Sequence, residues 1–201
     1  MTDSKNKTGI IILAAGSSSR LGEPKQLLAY NNTNLLKNTL TAANLVLNAA
    51  VILVTGSNRK LIEEQLDSTQ IKISFNADWE SGMSSSIVKG INDLLLILPD
   101  AEKCIVSVCD QPFISNSVFE SLLEKYHKTQ KGIVASAYAE TLGTPVLFDR
   151  KYFKELLHLK GKEGAKKIIN KFLNDTVAVP FKKGNIDIDT QEDYNRLIYK
   201  P

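Results

Sequence analysis

Small residues and two cations follow the first apolar run of the sequence, which ends at Ala15. Small residues let backbone N–H groups approach a phosphate, hydroxyls add donors, and Arg20 and Lys25 can neutralise phosphate charge. A flexible, solvated turn is the ordinary alternative. Two cations at fixed offsets from a glycine at a strand end instead favour a phosphate-binding loop. The nucleotide-binding residues predicted in this segment are Leu13, Ala14, Ala15, Gly16, Ser17, Ser18, Ser19, Arg20 and Lys25.

Three carboxylates are candidates for holding a divalent ion. Asp110 follows the apolar run Cys104–Val108, and a carboxylate at the carboxyl end of a buried strand is well placed to hold Mg²⁺ on a triphosphate. A turn or N-cap aspartate is the alternative, and Pro112 fits a turn. Asp187 and Asp189 alternate with isoleucines, so both face one side of an extended segment. An exposed strand face before the cap of the last helix is the alternative for this pair.

Further candidates for nucleotide binding come later in the chain. Thr55 ends the second predicted strand, and Asn76 directly follows the third. Asn76 could contact a ribose or a base edge, although a turn asparagine is an equally good interpretation. The segment from Gly82 to Ser86 predicts a helix start with free N–H groups, and one of its serines should cap that helix. Thr55, Asn76, Gly82 and Ser86 complete the predicted nucleotide-binding set.

Short apolar runs rich in β-branched residues alternate with longer helical patterns along the chain. The predicted strands cover Gly9–Ala15, Ala50–Thr55, Ile71–Phe75, Cys104–Val108, Gly132–Ala137, Pro145–Phe148 and Val177–Val179. The predicted helices cover Asn34–Leu47, Lys60–Leu66, Met83–Leu98, Asn116–Tyr126, Arg150–Leu157, Gly164–Phe172 and Thr190–Tyr199. This alternation predicts an α/β, Rossmann-like fold: a mostly parallel sheet with helices on both faces and ligands at the carboxyl ends of the strands. Helix caps are expected at Ser115 and at Thr190, which has Asp193 three residues on.

Length and composition set the boundaries of the interpretation. The chain has 201 residues, of which 43% are hydrophobic and 23% charged, with a net charge of +3. One domain over residues 1–201 is expected, with a disordered tail over residues 1–8. The charge excess is too small to indicate a nucleic-acid or membrane partner, and no apolar run is long enough for a membrane span. We expect a cytoplasmic protein.

The two cysteines are not expected to form a disulfide. Cys104 and Cys109 lie five residues apart in one predicted strand region, so they should face opposite sides of the sheet and cannot pair with each other. A reducing compartment is consistent with this cysteine usage.

Motifs of other phosphate-binding and hydrolytic folds are missing from the sequence. Neither G-x-x-x-x-G-K-[ST] nor G-x-G-x-x-G occurs, which argues against a P-loop and a dinucleotide fingerprint. The segment Gly82–Ser86 lacks the second glycine of a nucleophile elbow. No His-Glu-x-x-His zinc motif is present.

A strand followed by L-A-A-G-x-x-x-R-x-G-x-x-K resembles the signature of small-molecule nucleotidyltransferases. Within that group the chain most resembles the molybdenum cofactor cytidylyltransferases, a branch of the molybdopterin nucleotidyltransferase family. The resemblance spans nearly the whole chain, and its more specific marker is the Gly-Met-Ser-Ser-Ser of the second segment. Five segments carry it: Leu13–Lys25, Asn76–Ser86, Cys109–Phe113, Gly143–Phe148 and Asp187–Asp193.

The resemblance implies a reaction and a set of roles. A substrate phosphate attacks the α-phosphate of a nucleoside triphosphate, and pyrophosphate leaves. The triphosphate is implied to be CTP and the acceptor to be molybdopterin, with or without molybdenum; a molybdoenzyme or its insertion chaperone is the implied partner. Arg20, Lys25 and Asp110 are the expected catalytic residues, and Mg²⁺ the expected cofactor. Similarity to the family's D-x-D-T-x-E-D segment suggests that Asp187 or Asp189 completes the metal site, with Asp187 preferred.

Two alternatives stay open at this point. The same chemistry could use GTP or another phosphorylated acceptor, such as a sugar phosphate. A nucleotide-binding insertion factor could instead retain the pocket without turnover. Ala15 favours a pyrimidine triphosphate, because guanylyl-transferring relatives carry glycine at the matching position. Trp79 could stack on a pterin or simply pack in its loop.

Overall fold

The computed structural model describes residues 7–66 and 71–199, which form a seven-stranded sheet covered by helices on both faces. The strands are β1 (Thr8–Ala14), β2 (Ala29–Tyr30), β3 (Thr33–Asn34), β4 (Ala50–Thr55), β5 (Ile71–Phe75), β6 (Lys103–Val108), β7 (Ile133–Tyr138), β8 (Thr141–Asp149) and β9 (Thr176–Pro180). The helices are α1 (Leu35–Asn44), α2 (Arg59–Glu63), α3 (Met83–Ile97), α4 (Asn116–Thr129), α5 (Phe153–Leu157), α6 (Ala165–Lys171) and α7 (Gln191–Tyr199). The predicted α/β class and mostly parallel sheet are confirmed.

The sheet has the order β5-β4-β1-β6-β8-β7-β9, with β2 and β3 forming a separate two-stranded hairpin. The pairs β5–β4, β4–β1, β1–β6 and β7–β9 are parallel, whereas β8 is antiparallel to both β6 and β7. The sequence predicted most strand positions but not the direction of β8. A short turn after β7 allows β8 to fold back antiparallel, because a hairpin needs only two connecting residues.

Successive side chains of the central strands point to opposite faces of the sheet, so each face has its own apolar core. Ile10 and Ile12 pack with α1, α2 and α4 on one side, while Ile11 packs with α3, α5 and α6 on the other. Strands covered on both faces read as continuous apolar runs. Cys104 belongs to the second core and Cys109 to the first, so the predicted separation of the two thiols is confirmed. Burial raises the pKa of Cys109 to about 12.

A smaller apolar cluster fastens the C-terminal segment to the body of the domain. Ile188 and Leu197 pack against Leu28 and Leu35, next to the β2–β3 hairpin. Thr190 and Asp193 form the predicted capping box: the Thr190 amide donates to the Asp193 carboxylate at 2.9 Å, and the Asp193 amide donates to the Thr190 hydroxyl at 3.2 Å. These contacts fix the position of the residues just before α7.

Several local expectations are corrected by the structure. The expected disordered tail covered residues 1–8, of which residues 1–6 lie outside the described residues. Thr8 does not belong to such a tail, because it is the first residue of β1 and is buried. The stretch around Asp187 and Asp189 is irregular rather than a strand. Ser115 occupies the N-cap position of α4, yet its hydroxyl pairs with that of Ser117 instead of a backbone amide. Among the described residues, no helix combines the length and apolar character needed to cross a membrane.

Candidate active site

The predicted phosphate loop follows β1 at the carboxyl edge of the sheet, and a buried glutamine ties the end of the loop to its beginning. Gln26 is 1% exposed, and its amide nitrogen donates to the carbonyls of Ala14 and Gly16, each at 3.2 Å. The Ser18 hydroxyl, in turn, accepts from the Lys25 amide at 3.0 Å. These bonds fold the loop back on itself and place Lys25 over the end of the strand. Gln26 was missed by sequence reasoning, although it directly follows the predicted lysine.

An ion-pair network joins this loop to two distant parts of the chain. Lys25 Nζ lies 2.6 Å from Asp110 Oδ2 and 2.7 Å from Asp189 Oδ1. Arg20 Nη2 lies 2.7 Å from Asp189 Oδ2. The structure therefore brings together four residues that were predicted from separate segments. Asp110 is positioned by the end of β6, and its carbonyl accepts from the Ile188 amide at 3.0 Å, which docks the C-terminal segment beside it.

The charges of the network shift one another's protonation. Although burial acts to lower it, the attraction of Asp110 and Asp189 raises the pKa of Lys25 above its ordinary value. Burial acts to raise the pKa of the Asp189 carboxyl, but hydrogen bonds and charges from Lys25 and Arg20 outweigh it and lower that pKa. For Asp187, burial raises the pKa, and the nearby Asp110 and Asp189 carboxylates raise it further. Lys25 and Asp189 are thus firmly charged, while Asp187 carries a negative charge at a higher free-energy cost.

A first cleft of about 320 Å³ opens above the carboxyl ends of β1 and β6. Its wall includes most of the small residues predicted for phosphate binding, together with the start of α3. The predicted residues that line it are Leu13, Ala14, Ala15, Gly16, Ser17, Lys25, Gly82, Ser86 and Asp110. Trp79, Glu80 and Met83 complete one side, so Trp79 faces the cleft from the short helical turn before α3.

A second cleft of about 360 Å³ lies on the other side of Asp110. It shares Met83, Val108 and Asp110 with the first cleft, so the two open onto each other at the end of β6. The remaining wall comes from Gln111, which follows Asp110 in the chain, from the β7–β8 hairpin and from the C-terminal segment. These residues are Gln111, Tyr138, Ala139, Thr141, Thr144, Gly184, Asn185 and Asp187.

Two buried or packed side chains shape the second cleft and were not predicted. Gln111 is 3% exposed, and its amide nitrogen donates to the carbonyls of Thr144 at 3.2 Å and Gly184 at 2.6 Å. Tyr138 packs so closely on Gly143 that a Cβ there would lie 2.2 Å from the tyrosine oxygen. Gln111 follows Asp110 directly, which was the only signal in the sequence that could have identified it. Nothing in the local pattern around Tyr138 marked it as a cleft residue.

The start of α3 is held by a neighbouring loop. Gly82 has φ +106°, and a Cβ at this position would lie 2.3 Å from the Gly161 carbonyl oxygen, so only glycine fits without a shift. The Ser84 hydroxyl donates to that same carbonyl at 2.8 Å, and the Ser84 amide donates to it at 3.2 Å. The glycine in the Gly-Met-Ser-Ser-Ser segment is therefore required by close backbone packing at the rim of the first cleft.

Two side chains predicted to contact the nucleotide, those of Asn76 and Thr55, form hydrogen bonds within the protein. The Asn76 amide nitrogen donates to the hydroxyls of Ser85 and Ser86, and its oxygen accepts from the Asp78 amide at 3.0 Å. Thr55 is 0% exposed and donates to Glu63 at 3.3 Å. Each residue thus organises a turn at the strand ends, and the structure does not bring either into the lining of the first cleft. The turn interpretation of Asn76 was the better one.

The remaining predicted residues lie at the mouth of the site. Ser18 uses its hydroxyl within the loop, Ser19 is exposed, and Arg20 reaches the site through Asp189. Asp187 lines the second cleft, whereas Asp189 lies between the two cations. Within the described residues, no group of three or more His, Cys, Asp or Glu side chains is arranged as a ready-made metal cage.

The structure brings a cleft of small residues after β1, a lysine of the following loop and an aspartate after a central strand to one edge of the sheet of an α/β fold. The chain belongs to the family described as the MobA-like NTP transferase domain, whose model matches residues 10–177. It is therefore a nucleotidyltransferase of that family. The fold is shared with a crystal structure from Mycobacterium sp. strain JC1, at a TM-score of 0.82 and 28% identity over 97% of this chain and 96% of that one.

Curated relatives of the chain carry three different names. It is 26% identical over 209 residues to nicotine blue oxidoreductase of Paenarthrobacter nicotinovorans, covering 98% of each chain. It is 24% identical over 187 residues to molybdenum cofactor cytidylyltransferase of Escherichia coli, covering 92% of each. It is 26% identical over 129 residues to a probable molybdenum cofactor guanylyltransferase of Bacillus mycoides, covering 64% of this chain and 62% of that one.

Proposed function

We propose that this protein transfers CMP from CTP to the phosphate of a molybdopterin-type acceptor, releasing pyrophosphate and requiring Mg²⁺. The observation that carries the proposal is the meeting of the two clefts at Asp110, directly beside Lys25. Nucleotidyl transfer needs a triphosphate and an acceptor phosphate to approach the same point from two directions. The names of the cytidylyltransferase and guanylyltransferase relatives support a molybdenum cofactor substrate.

In this proposal the first cleft takes the triphosphate. Lys25 lines that cleft, and Arg20 is held at its mouth, so their charges are available for the phosphates. The backbone N–H groups of Gly16 and Ser17 would approach the phosphates closely because no large side chain intervenes. The acceptor phosphate attacks the α-phosphorus, and the bond to the β-phosphate oxygen breaks. Positioning and charge stabilisation supply most of the catalysis in reactions of this kind.

The carboxylates at the junction fit a magnesium ion. Mg²⁺ prefers one or two carboxylates together with phosphate oxygens over a cage made only of protein ligands. Asp110 and Asp187 both line the second cleft, and their like charges disfavour each other in the absence of a cation. Within the described residues, Asp187 forms no ion pair. We therefore assign Mg²⁺ to Asp110 and Asp187, where it would neutralise charge on the triphosphate.

The second cleft takes the body of the acceptor. Its wall offers a tyrosine hydroxyl, two threonines and an asparagine amide, with two carboxylates and neither Lys nor Arg among its lining residues. Such a surface is suited to an uncharged ring system with several hydrogen-bonding groups. In this proposal the acceptor phosphate lies at the junction with the first cleft, near Lys25. We propose a cytoplasmic location and a molybdoenzyme or its insertion chaperone as the recipient of the product.

The proposal is tested by measuring pyrophosphate release by purified protein with each of the four nucleoside triphosphates, with and without molybdopterin. Release that requires molybdopterin and is fastest with CTP is the expected result. Fastest release with GTP would replace CTP in the proposal, and release with a sugar phosphate alone would replace the acceptor. Tight CTP binding without turnover under any condition would indicate the insertion factor instead.

The relative named nicotine blue oxidoreductase makes a redox assay a necessary control. The same preparation is incubated with NADH and a dye acceptor in the absence of any triphosphate. We expect no oxidation above the rate of the Asp110→Asn variant. Oxidation of NADH that survives removal of triphosphate and metal would contradict nucleotidyl transfer as the main activity.

A further inference from the structure

Asp189 contacts both cations that the proposed function assigns to the triphosphate. Its Oδ1 lies 2.7 Å from Lys25 Nζ, and its Oδ2 lies 2.7 Å from Arg20 Nη2. The two cations belong to the phosphate loop, whereas Asp189 comes from the C-terminal segment, more than 160 positions later. One carboxylate therefore holds two loop residues in a fixed relation to the rest of the site.

The backbone that carries Asp189 is anchored on both sides. The buried Ile188 donates its amide to the Asp110 carbonyl at 3.0 Å. On the other side, the capping box of Thr190 and Asp193 begins α7. The hydroxyl of Tyr194 in α7 donates to the Ala29 carbonyl at 2.9 Å. Arg20, by contrast, has a side chain that is 68% exposed. In this pairing Asp189 is the fixed partner, and the loop cation is the one being positioned.

The two aspartates of the Ile-Asp-Ile-Asp stretch differ in what their oxygens touch. Both oxygens of Asp189 are engaged by cations, and the side chain lines neither cleft. Asp187 lines the second cleft beside Asp110. A carboxylate that binds Mg²⁺ needs an oxygen free for the ion. A metal ion on either oxygen of Asp189 would lie close to the positive charge of Lys25 or Arg20, which would repel it.

Both cations keep donors for a substrate while they are held. A lysine ammonium has three N–H donors, and Lys25 gives one each to Asp110 and Asp189. Arg20 uses one terminal nitrogen on Asp189, which leaves the other donors of its guanidinium available. Asp189 can therefore fix both groups in place without consuming their capacity to bind phosphate.

We propose that Asp189 is a positioning residue for nucleotidyl transfer: it orients Lys25 and Arg20 toward the triphosphate and is not a ligand of the metal ion. The inference rests on the proposed function, because it uses the assignment of the two cations to the triphosphate. It separates the roles of two aspartates that the sequence pattern treats as equivalent.

The first test measures metal binding directly. Mn²⁺ is titrated into protein saturated with CTP, and free Mn²⁺ is followed by its electron paramagnetic resonance signal. We expect Asp189→Asn to change the Mn²⁺ dissociation constant by less than about threefold, and Asp187→Asn to raise it by about tenfold or more. Equal weakening in the two variants would make Asp189 a metal ligand and overturn the proposal.

The second test separates positioning from binding. We expect Asp189→Asn to lower kcat by about tenfold while the CTP dissociation constant, measured by calorimetry in EDTA, changes by less than about threefold. Asp189→Glu keeps the charge and should recover at least half of the lost kcat. Glu155→Gln, which breaks an exposed 2.7 Å ion pair with Lys171 elsewhere in the domain, is the matched control and should leave kcat unchanged. An unchanged kcat in Asp189→Asn would overturn the proposal.

The third test asks whether Asp189 acts through Arg20. In an Arg20→Gln background, Asp189→Asn should cost less in kcat than it does in the wild type, because one of its two targets is already absent. If the losses in kcat from the two substitutions were fully additive in free energy, Asp189 would not act through Arg20. If the wild type releases no pyrophosphate with any triphosphate, the proposed function fails. The Mn²⁺ titration does not depend on turnover, so it then still decides whether Asp189 is a metal ligand.

Discussion

The two clefts that meet at Asp110 differ in charge and in origin. The first is lined by small residues after β1 and by Lys25, while the second is lined by Tyr138 and its neighbours and carries Asp110 and Asp187 without Lys or Arg in its lining. The first lining also holds the carboxylates of Glu80 and Asp110, but of the two linings only the first offers a polyanion a cation. The difference therefore favours the first cleft for the triphosphate in the proposed function, with Asp110 as the carboxylate that lines both clefts.

The difference in origin follows from strand direction. The first cleft is built where the parallel strands β1 and β6 end, so its residues directly follow apolar runs in the sequence. The second cleft depends on the antiparallel β8, whose hairpin with β7 turns through Ala139 and Glu140 at φ +44° and +60°. Positive φ at two non-glycine residues is uncommon and costs free energy. Such strain often occurs at functional positions, which is consistent with a substrate cleft at this turn.

The largest effect is expected from removing the charge of Asp110, the carboxylate that lines both clefts. Asp110→Asn keeps the size of the side chain but removes the negative charge proposed to hold Mg²⁺. We expect turnover to fall by about a thousandfold, with the thermal unfolding midpoint close to that of the wild type. Steady-state pyrophosphate release and a melting curve measure the two effects. Near wild-type turnover would show that the metal assignment is wrong.

A second substitution affects the first cleft alone. Lys25→Ala would remove the proposed charge-assisted contact to the transferring phosphate, and we expect a loss of about 3 kcal/mol, or roughly a hundredfold in kcat/KM for CTP. Lys60→Ala is the matched control, because Lys60 is an exposed residue of α2 outside both clefts. Similar, small losses at both positions would remove the phosphate loop from the mechanism.

A third substitution affects the second cleft alone. Tyr138→Phe keeps the ring that packs on Gly184 but removes the hydroxyl that lies against Gly143. The loss of one neutral hydrogen bond, about 0.5–1.5 kcal/mol, should raise the KM for molybdopterin by up to about tenfold. The KM for CTP should change by less than about twofold. A larger effect on CTP than on the acceptor would reverse the assignment of the two clefts.

The smallest effect on activity is expected from a substitution at Ala15, on the floor of the first cleft. Ala15 is buried and lines the cleft, close to Gly56, where a Cβ would lie 2.8 Å from the Ala15 methyl. Removing that methyl in Ala15→Gly opens space for a larger base. We expect the ratio of kcat/KM for CTP over GTP to fall a few fold, within the roughly 1–3 kcal/mol that one methyl group can supply. A ratio that does not fall would leave Ala15 as a packing residue.

The sequence predicted the first cleft better than the second for a physical reason. Parallel strands bury both faces, so their apolar runs are long, and the residues that follow them must lie at one edge of the sheet. That logic found Lys25 and Asp110 from spacing alone. It did not predict that Asn76 and Thr55 bond inward and lie outside the cleft lining, because a polar residue at a strand end can hydrogen-bond inward as readily as it can face a ligand. It missed Gln111, since its partners Thr144 and Gly184 are 33 and 73 positions away.

By itself, the sequence determined the βαβ alternation, the phosphate loop with its two cations, the lone acid after β6 and the pair of aspartates before α7. These are local patterns, since periodicity and spacing within a few residues decide them. Only the tertiary structure decided the antiparallel course of β8, the second cleft and the different contacts of Asp187 and Asp189. Those depend on contacts between segments far apart in the chain. Two aspartates separated by one isoleucine have different partners, because the partners arrive from β6 and from the loop after β1.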